Sequence, residues 1–145
     1  MKKILFVATG GTIASKKTEN GLTPQITPEE LISYIPEVEK ICEITAVQPF
    51  NLDSSNVVPE NWSMLVKVIR EHYDAFDGFI IAHGTDTMAY TAAALSYMIQ
   101  NSPKPIVITG AQRPINLDIT DAKTNLSDSF YYACDDASQG VQIGF

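Results

Sequence analysis

Gly78-Phe79-Ile80-Ile81-Ala82-His83-Gly84-Thr85-Asp86-Thr87 decides the fold. A short apolar run meets a glycine-bearing polar turn, which reads as a parallel strand buried on both faces. Thr87–Ile99, rich in Ala, Met and Leu, reads as the helix that follows. The same grammar recurs outward in both directions. Lys3–Ala8 runs into Thr9-Gly10-Gly11-Thr12, and Pro105–Thr109 runs into Gly110-Ala111-Gln112-Arg113-Pro114. Glu43–Phe50 reads as a strand closed by the polar turn Asn51–Asn56. Asp121–Cys134 reads as a helix, and Val141–Phe145 as the start of a fifth strand. Thr27 can cap a short helix, with Pro28 at its first position and Glu30 completing a capping box; the helix stops before Pro36. Pro59 opens a helix to about Tyr73, with Trp62, Leu65, Val66 and Ile69 at core spacing. Thr9–Ile26 reads as a long loop, a kind that is usually functional or mobile.

Alternation of strand and helix implies crossovers and a mainly parallel sheet. The expected fold is a three-layer α/β/α domain, Rossmann-like. The chain has 145 residues, which suits one domain. It stops inside an apolar strand at Ile143-Gly144-Phe145, so the domain reads as truncated at its C-terminal side.

Composition narrows the function. The net charge is −7 and the pI is near 4.6, which disfavours nucleic acid and anionic membrane surfaces. No apolar run is long enough to span a bilayer. Met1-Lys2-Lys3 followed by Ile4–Ala8 imitates a signal peptide, but the apolar stretch is too short and ends at Thr9-Gly10-Gly11-Thr12. A cytoplasmic protein is expected. Cys42 and Cys134 form no metal spacing and are expected as free, inert thiols. His72 and His83 are too few for a zinc site, and no metal or cofactor is expected.

In open parallel sheets, ligands bind outside the carboxyl ends of the strands. The glycine-rich and hydroxyl-rich turns fall at those ends, so one small polar cleft is expected there. Ser–His pairing of a hydrolase is absent, as are GxGxxG and the P-loop pattern. A threonine alcohol needs activation to act as a nucleophile, and adjoining glycines can aim N–H groups at a developing oxyanion. Gly10-Gly11-Thr12 supplies both residue types, although such a tripeptide alone is more often only a tight turn.

Thr9-Gly10-Gly11-Thr12-Ile13-Ala14 resembles the first signature of the bacterial-type L-asparaginase family, and Gly78–Met88 resembles the second. Thr109–Pro114, Asp53-Ser54-Ser55, Trp62, Tyr90-Thr91-Ala92 and Asp121 with Asn125-Leu126 also match. The resemblance covers the whole chain and is nearest the cytoplasmic type I branch. It implies hydrolysis of L-asparagine to L-aspartate and ammonia through a β-aspartyl ester, without cofactor or metal. It makes Thr12 the nucleophile, and it makes Thr85 and Asp86 the second threonine and its acidic neighbour. That threonine belongs to a Thr–Lys–Asp set, and Asp86 also holds the substrate's α-ammonium. Asp53, Ser54 and Ser55 form the substrate-binding turn, and Ala111 offers a backbone carbonyl to the side-chain amide.

The resemblance further implies that residues 1–145 are an incomplete N-terminal domain. The family's lysine falls after the strand beginning at Val141, and Lys104 and Lys123 lie in other blocks. A smaller C-terminal domain and a homo-oligomer, dimer or tetramer, belong to the full-length pattern. The loop tyrosine of the family is replaced by Leu22 after Gly21; Thr18 and Thr23 offer hydroxyls nearby without an assignable role. Other readings are a glutaminase-asparaginase, the related subunit of a tRNA-dependent amidotransferase, or a catalytically silent amino-acid-binding or assembly module. Elsewhere the expectations are plainer. His83 fixes the turn before Thr85, Arg113 makes a structural ion pair or a subunit contact, Asp121 caps a helix and Asn125 packs.

Overall fold

The computed structural model describes all residues, Met1–Phe145. Its main sheet has five strands: β1 (Lys2–Ala8), β4 (Cys42–Val47), β5 (Gly78–Ala82), β6 (Pro105–Thr109) and β7 (Gly140–Gly144). The other two, β2 (Ser15–Thr18) and β3 (Gly21–Pro24), pair only with each other. The spatial order of the main sheet is β4-β1-β5-β6-β7, and every pairing in it is parallel. The chain enters at β1, places β4 on one side, then crosses to β5 on the other. The order therefore reverses between β1 and β5, which is where doubly wound sheets bind ligands.

Alternation along the strands divides two cores. Ile4, Phe6 and Ala8 of β1 face one way with Ile80 and Val107, and meet Leu31, Leu126 and Phe130 from α1 (Pro28–Ser33) and α4 (Ala122–Cys134). Leu5 and Val7 face the other way with Phe79, Ile81, Ile106 and Ile108, and meet Leu65, Ile69 and Leu95 from α2 (Pro59–His72) and α3 (Met88–Met98). The three-layer α/β/α expectation holds. Continuous apolar strands are what a sheet covered on both faces requires.

α1 starts as its sequence dictates. The Thr27 hydroxyl accepts from the Glu30 N–H and the Glu30 carboxylate accepts from the Thr27 N–H, both at 3.1 Å.

Three expectations need correction. Residues 9–26 are not one loop. They hold a 3₁₀ turn at Thr12–Ala14 and the antiparallel β2–β3 hairpin. Four-residue strands with few apolar positions carry almost no period to read. The hairpin turn is closed by Gly21 at φ 97° and by the Thr18 hydroxyl donating to the Gly21 carbonyl at 2.8 Å. The β4 strand ends at Val47, short of Phe50, and a 3₁₀ turn at Pro36–Lys40 precedes it. On α2, Leu65 and Ile69 are fully buried, whereas Trp62 and Val66 are only half-buried. Trp62 instead turns its Nε1–H to the Thr91 hydroxyl of α3, at 3.0 Å.

Candidate active site

The loops after β1, β4, β5 and β6 are bolted together at the switch point by backbone hydrogen bonds. Gly11 N–H donates to Leu52 O and Leu52 N–H to Thr9 O, each at 2.9 Å. His83 N–H donates to Thr109 O at 2.8 Å, and the Thr87 hydroxyl donates to Ser54 O at 2.8 Å. Contacts this close need glycine. Gly11 has φ 78°, and a Cβ there would stand 2.5 Å from the Gly84 nitrogen. A Cβ on Gly84 would stand 2.5 Å from the Ser54 side chain. Loops from three strands thus share one peptide, His83–Gly84, as their common wall.

His83 locks the next peptide, Gly84–Thr85. It is fully buried, and its Nδ1 meets the Gly84 carbonyl at 2.7 Å. A carbonyl only accepts, so Nδ1 carries the hydrogen and Nε2 accepts from the Thr91 hydroxyl at 2.9 Å. Burial holds the imidazole pKa below its ordinary value, and the Gly84 bond only partly offsets this. His83 is therefore a neutral structural histidine, as expected, and it does not line the cavity.

A folded-state base with a depressed pKa destabilises the fold in acid, because the unfolded chain takes the proton first. Stability should be insensitive to His83 above pH 6.5 and should fall as pH drops below it, by at most ~1.4 kcal/mol per pH unit. Urea midpoints of the wild type and His83→Asn between pH 7.5 and pH 5.5, a range chosen as about one unit either side of the ordinary histidine value, check this. Equal slopes for the two proteins would refute it.

Within this frame, Thr12, Ser54, Thr85 and Asp86 line one small polar cavity, together with Gly11, Gly84, Ser15 and Asp53. Leu22 and Pro24 of the β2–β3 hairpin form its outer wall. The hydroxyls of Thr12, Ser54 and Thr85 and the carboxylate of Asp86 make no hydrogen bond or ion pair within the chain. The backbone N–H groups of Thr12 and Thr85 also donate to nothing in the chain. Neighbouring polar groups are engaged: the Ser15 hydroxyl donates to Gly11 O at 2.8 Å. The cavity contains no Lys, Arg, His or Tyr.

Two of the expected site residues sit elsewhere. Ser55 is exposed outside the cavity, and its hydroxyl donates to Asp53 at 2.8 Å. The Ser55 N–H donates to the same Asp53 oxygen at 2.9 Å, and these bonds hold the Asp53 carboxyl below its usual range. Asp53 thus shapes the turn that presents Ser54. Ala111 is buried at 1% exposure and is not among the cavity's lining residues. Arg113 forms no ion pair and is exposed. Asp121 stands at the start of α4 without capping it, and its carboxylate binds the loop after β6. The resemblance placed Leu22 in the loop near the nucleophile, but neither the hairpin nor Pro24 was expected, because these strands are too short and polar to show a period.

Larger clefts exist. One of about 430 Å³ lies between the ends of α2 and α3, and one of about 480 Å³ lies by the opposite, amino ends of β6 and β7. Neither stands at the switch point. The first is lined mainly by apolar side chains.

The asparaginase N-terminal family model matches residues 3–145. The chain belongs to the asparaginase family. It is 40% identical to L-asparaginase 1 of Escherichia coli K12, in a match covering 99% of this chain and 44% of that protein. It is 40% identical to a component of the glutamyl-tRNA(Gln) amidotransferase of Metallosphaera sedula, over 90% of this chain and 30% of that one. The crystal structure of L-asparaginase I from Vibrio cholerae superposes with a TM-score of 0.89 at 36% identity, covering 99% of this chain and 44% of that one. The chain thus spans less than half the length of these relatives. Two of them carry the type I name, the branch that the motifs resemble.

Proposed function

We propose that this chain is the N-terminal domain of an L-asparaginase, hydrolysing L-asparagine to L-aspartate and ammonia with Thr12 as nucleophile. One observation carries the proposal. The polar side chains without internal partners at the switch point are three hydroxyls and one carboxylate, all on one cavity. A zwitterionic amino acid needs a carboxylate for its ammonium and neutral donors for its carboxylate. Asp86 and Ser54 are of those types. Thr12 Oγ attacks the side-chain amide carbon, its proton passes to a base, and the C–N bond breaks as nitrogen is protonated and leaves as ammonia. The β-aspartyl ester is then hydrolysed by water beside Thr85. The free N–H groups of Thr12 and Thr85 are candidates to meet the developing oxyanion.

No side chain in the cavity is a ready base for a threonine hydroxyl, since Asp86 serves the ammonium and Asp53 is hydrogen-bonded to Ser55. We assign that role to a lysine beyond residue 145, in the remainder of a protein of the relatives' length. With the hairpin in place the cavity measures about 40 Å³, room for a few waters. An amino acid therefore enters when Leu22 and Pro24 move outward. Leu22 stands where the family's loop tyrosine falls, so it closes the site without supplying a hydroxyl.

The complete protein acts as a homo-oligomer in the cytoplasm. Supporting this, α3 exposes Tyr90 at 69% and Tyr97 at 76% on a helix that is apolar on most of its circumference. The cysteines are free thiols, and burial pushes Cys42 up to about 12. No helix is long and apolar enough to cross a membrane.

Turnover of asparagine against glutamine tests the reading; glutamine turnover at a comparable kcat/KM would favour a glutaminase-asparaginase. The amidotransferase relative makes amide release for tRNA a second reading, and the net charge of −7 weighs against it. Asp86→Asn keeps the shape and removes the charge. Losing a charge-assisted hydrogen bond costs about 1.5–3 kcal/mol, so aspartate affinity should fall roughly 10- to 100-fold by calorimetry. Unchanged affinity would remove Asp86 from substrate recognition.

A further inference from the structure

The β2–β3 hairpin supplies the outer wall of the cavity through Leu22 and Pro24, yet neither residue packs into either core. The base of the hairpin is firmly held. The Ser15 hydroxyl donates to Gly11 O at 2.8 Å, and the Gln25 and Ile26 N–H groups both donate to Ala14 O, at 2.9 and 2.8 Å. Ala14 and Ile26 are buried. Beyond that base, the hydrogen bonds of residues 16–24 stay within the hairpin, with a single exception. Asn51, in the loop after β4, donates from Nδ2 to the Pro24 carbonyl at 3.1 Å. An ion pair adds to it: Lys16 Nζ stands 3.5 Å from Glu30 Oε1 on α1.

Both links lead to parts of the chain that are fixed for other reasons. The Asn51 side chain lies against the nucleophile turn, where a Cβ on Gly10 would stand 2.7 Å from its Oδ1. Glu30 is already placed by the capping box of α1, with Oε2 accepting from the Thr27 N–H. The hairpin is thus a flap with a fixed base and two polar latches. A two-stranded ribbon is marginal by itself, so these latches decide where the flap lies.

Where it lies leaves no room for a ligand. The cavity behind it measures about 40 Å³, enough for waters and too small for an amino acid. A lid that closes on bound substrate has to leave the substrate its volume, and this wall does not. We propose that the latched hairpin is an autoinhibitory wall: Asn51 and Lys16 hold Leu22 and Pro24 in the space an amino acid would take, and substrate binds only the unlatched state. This rests on the asparagine reading above. Its consequence has a sign. Affinity for a ligand that binds one state is reduced by the fraction of molecules in that state, so loosening the latches strengthens binding. For a lid that closes over its ligand, the same change weakens binding.

The test uses the complete protein, with Asn51→Ala, Lys16→Met and the double variant. Lys16→Met keeps the apolar stem and spares Glu30, so the cap of α1 is untouched. Three quantities are measured: aspartate affinity by calorimetry, kcat and KM for asparagine, and hydrogen exchange across the hairpin. Asn51→Ala should tighten aspartate binding about 3- to 10-fold and raise kcat/KM for asparagine by a similar factor, through a lower KM. Lys16→Met should act in the same direction by about 2-fold, since an exposed ion pair is weak, and the double variant should exceed either. Exchange should accelerate within residues 16–24 while Gln25 and Ile26, at the base, stay protected. If Asn51→Ala does not fold, the sign of the Lys16→Met effect decides. Weaker aspartate binding in the variants would make the hairpin a cover that closes on its ligand, and unchanged binding would make the latches idle; either result overturns the proposal while the wild type still works. A wild type and a double variant that neither bind aspartate nor hydrolyse asparagine would overturn the proposed function, and the occlusion of that substrate with it.

Discussion

Thr12→Ala in the complete protein should reduce asparagine hydrolysis to background, a loss on the order of 10⁴-fold or more, with folding and aspartate binding intact. The size follows from the role assigned to Thr12. A nucleophile forms the covalent bond, and no neighbouring group can stand in for it. Thr85 and Ser54 are the alternative hydroxyls on the cavity, but each belongs to a different strand end. The fold should survive, because Thr12 is half-buried and its hydroxyl bonds to nothing in the chain. What shapes the turn is Gly11 at φ 78° and the Ser15 hydroxyl on Gly11 O, and both remain. Ammonia release gives the rate, circular dichroism the fold, and calorimetry with aspartate the binding. Near-native turnover would take Thr12 out of the mechanism. Loss of binding along with rate would recast it as a structural residue.

β1, β5 and β6 were legible because each is built on a short apolar run ended by a glycine turn, as a strand covered on both faces requires. Gly78–Ala82 and Pro105–Thr109 have the same limits in sequence and structure. Residues at strand ends were legible for the same reason: Thr12, Thr85 and Asp86 follow apolar runs, Ser54 lies in the polar turn after β4, and parallel strands deliver such residues to one edge. Two kinds of feature were not legible. The hairpin has polar four-residue strands held by Thr18, by its own ladder and by a Lys16–Glu30 ion pair at 3.5 Å, none of which leaves a periodic trace. The second kind is side-chain direction. Asp121 before an apolar helix spells a cap, and only three-dimensional proximity of the β6 loop turns it into a clamp on Gln112 and Arg113. Likewise Ser55 in Asp53-Ser54-Ser55 looks equivalent to Ser54, yet the 3₁₀ turn sends it outward.

Residues 1–145 on their own should release ammonia from asparagine several orders of magnitude more slowly than a protein of the relatives' full length. Thr12, Thr85 and Asp86 already line one cavity within this chain. Activation does. A threonine hydroxyl at neutral pH is a weak nucleophile, and the cavity holds no lysine, histidine or tyrosine to take its proton. Its carboxylates are committed, Asp53 to Ser55 and, in the proposed complex, Asp86 to the substrate's ammonium. Members of one catalytic unit are strongly non-additive, so one missing base removes most of the rate. Binding should be less affected, because Ser54 and Asp86 belong to this chain. The isolated domain should also self-associate. It exposes Tyr90 and Tyr97 on α3, and it exposes Ile143 of β7 at 45% and Phe145 just past it at 59%, and the outer edge of β7 is unpaired. Ammonia release measured for both proteins at equal concentration, with size-exclusion chromatography and aspartate titration of each, separates these effects. Comparable turnover from a monomeric 1–145 would mean that Thr12 is activated from within the cavity, and the lysine assigned to the rest of the protein would have to be given up.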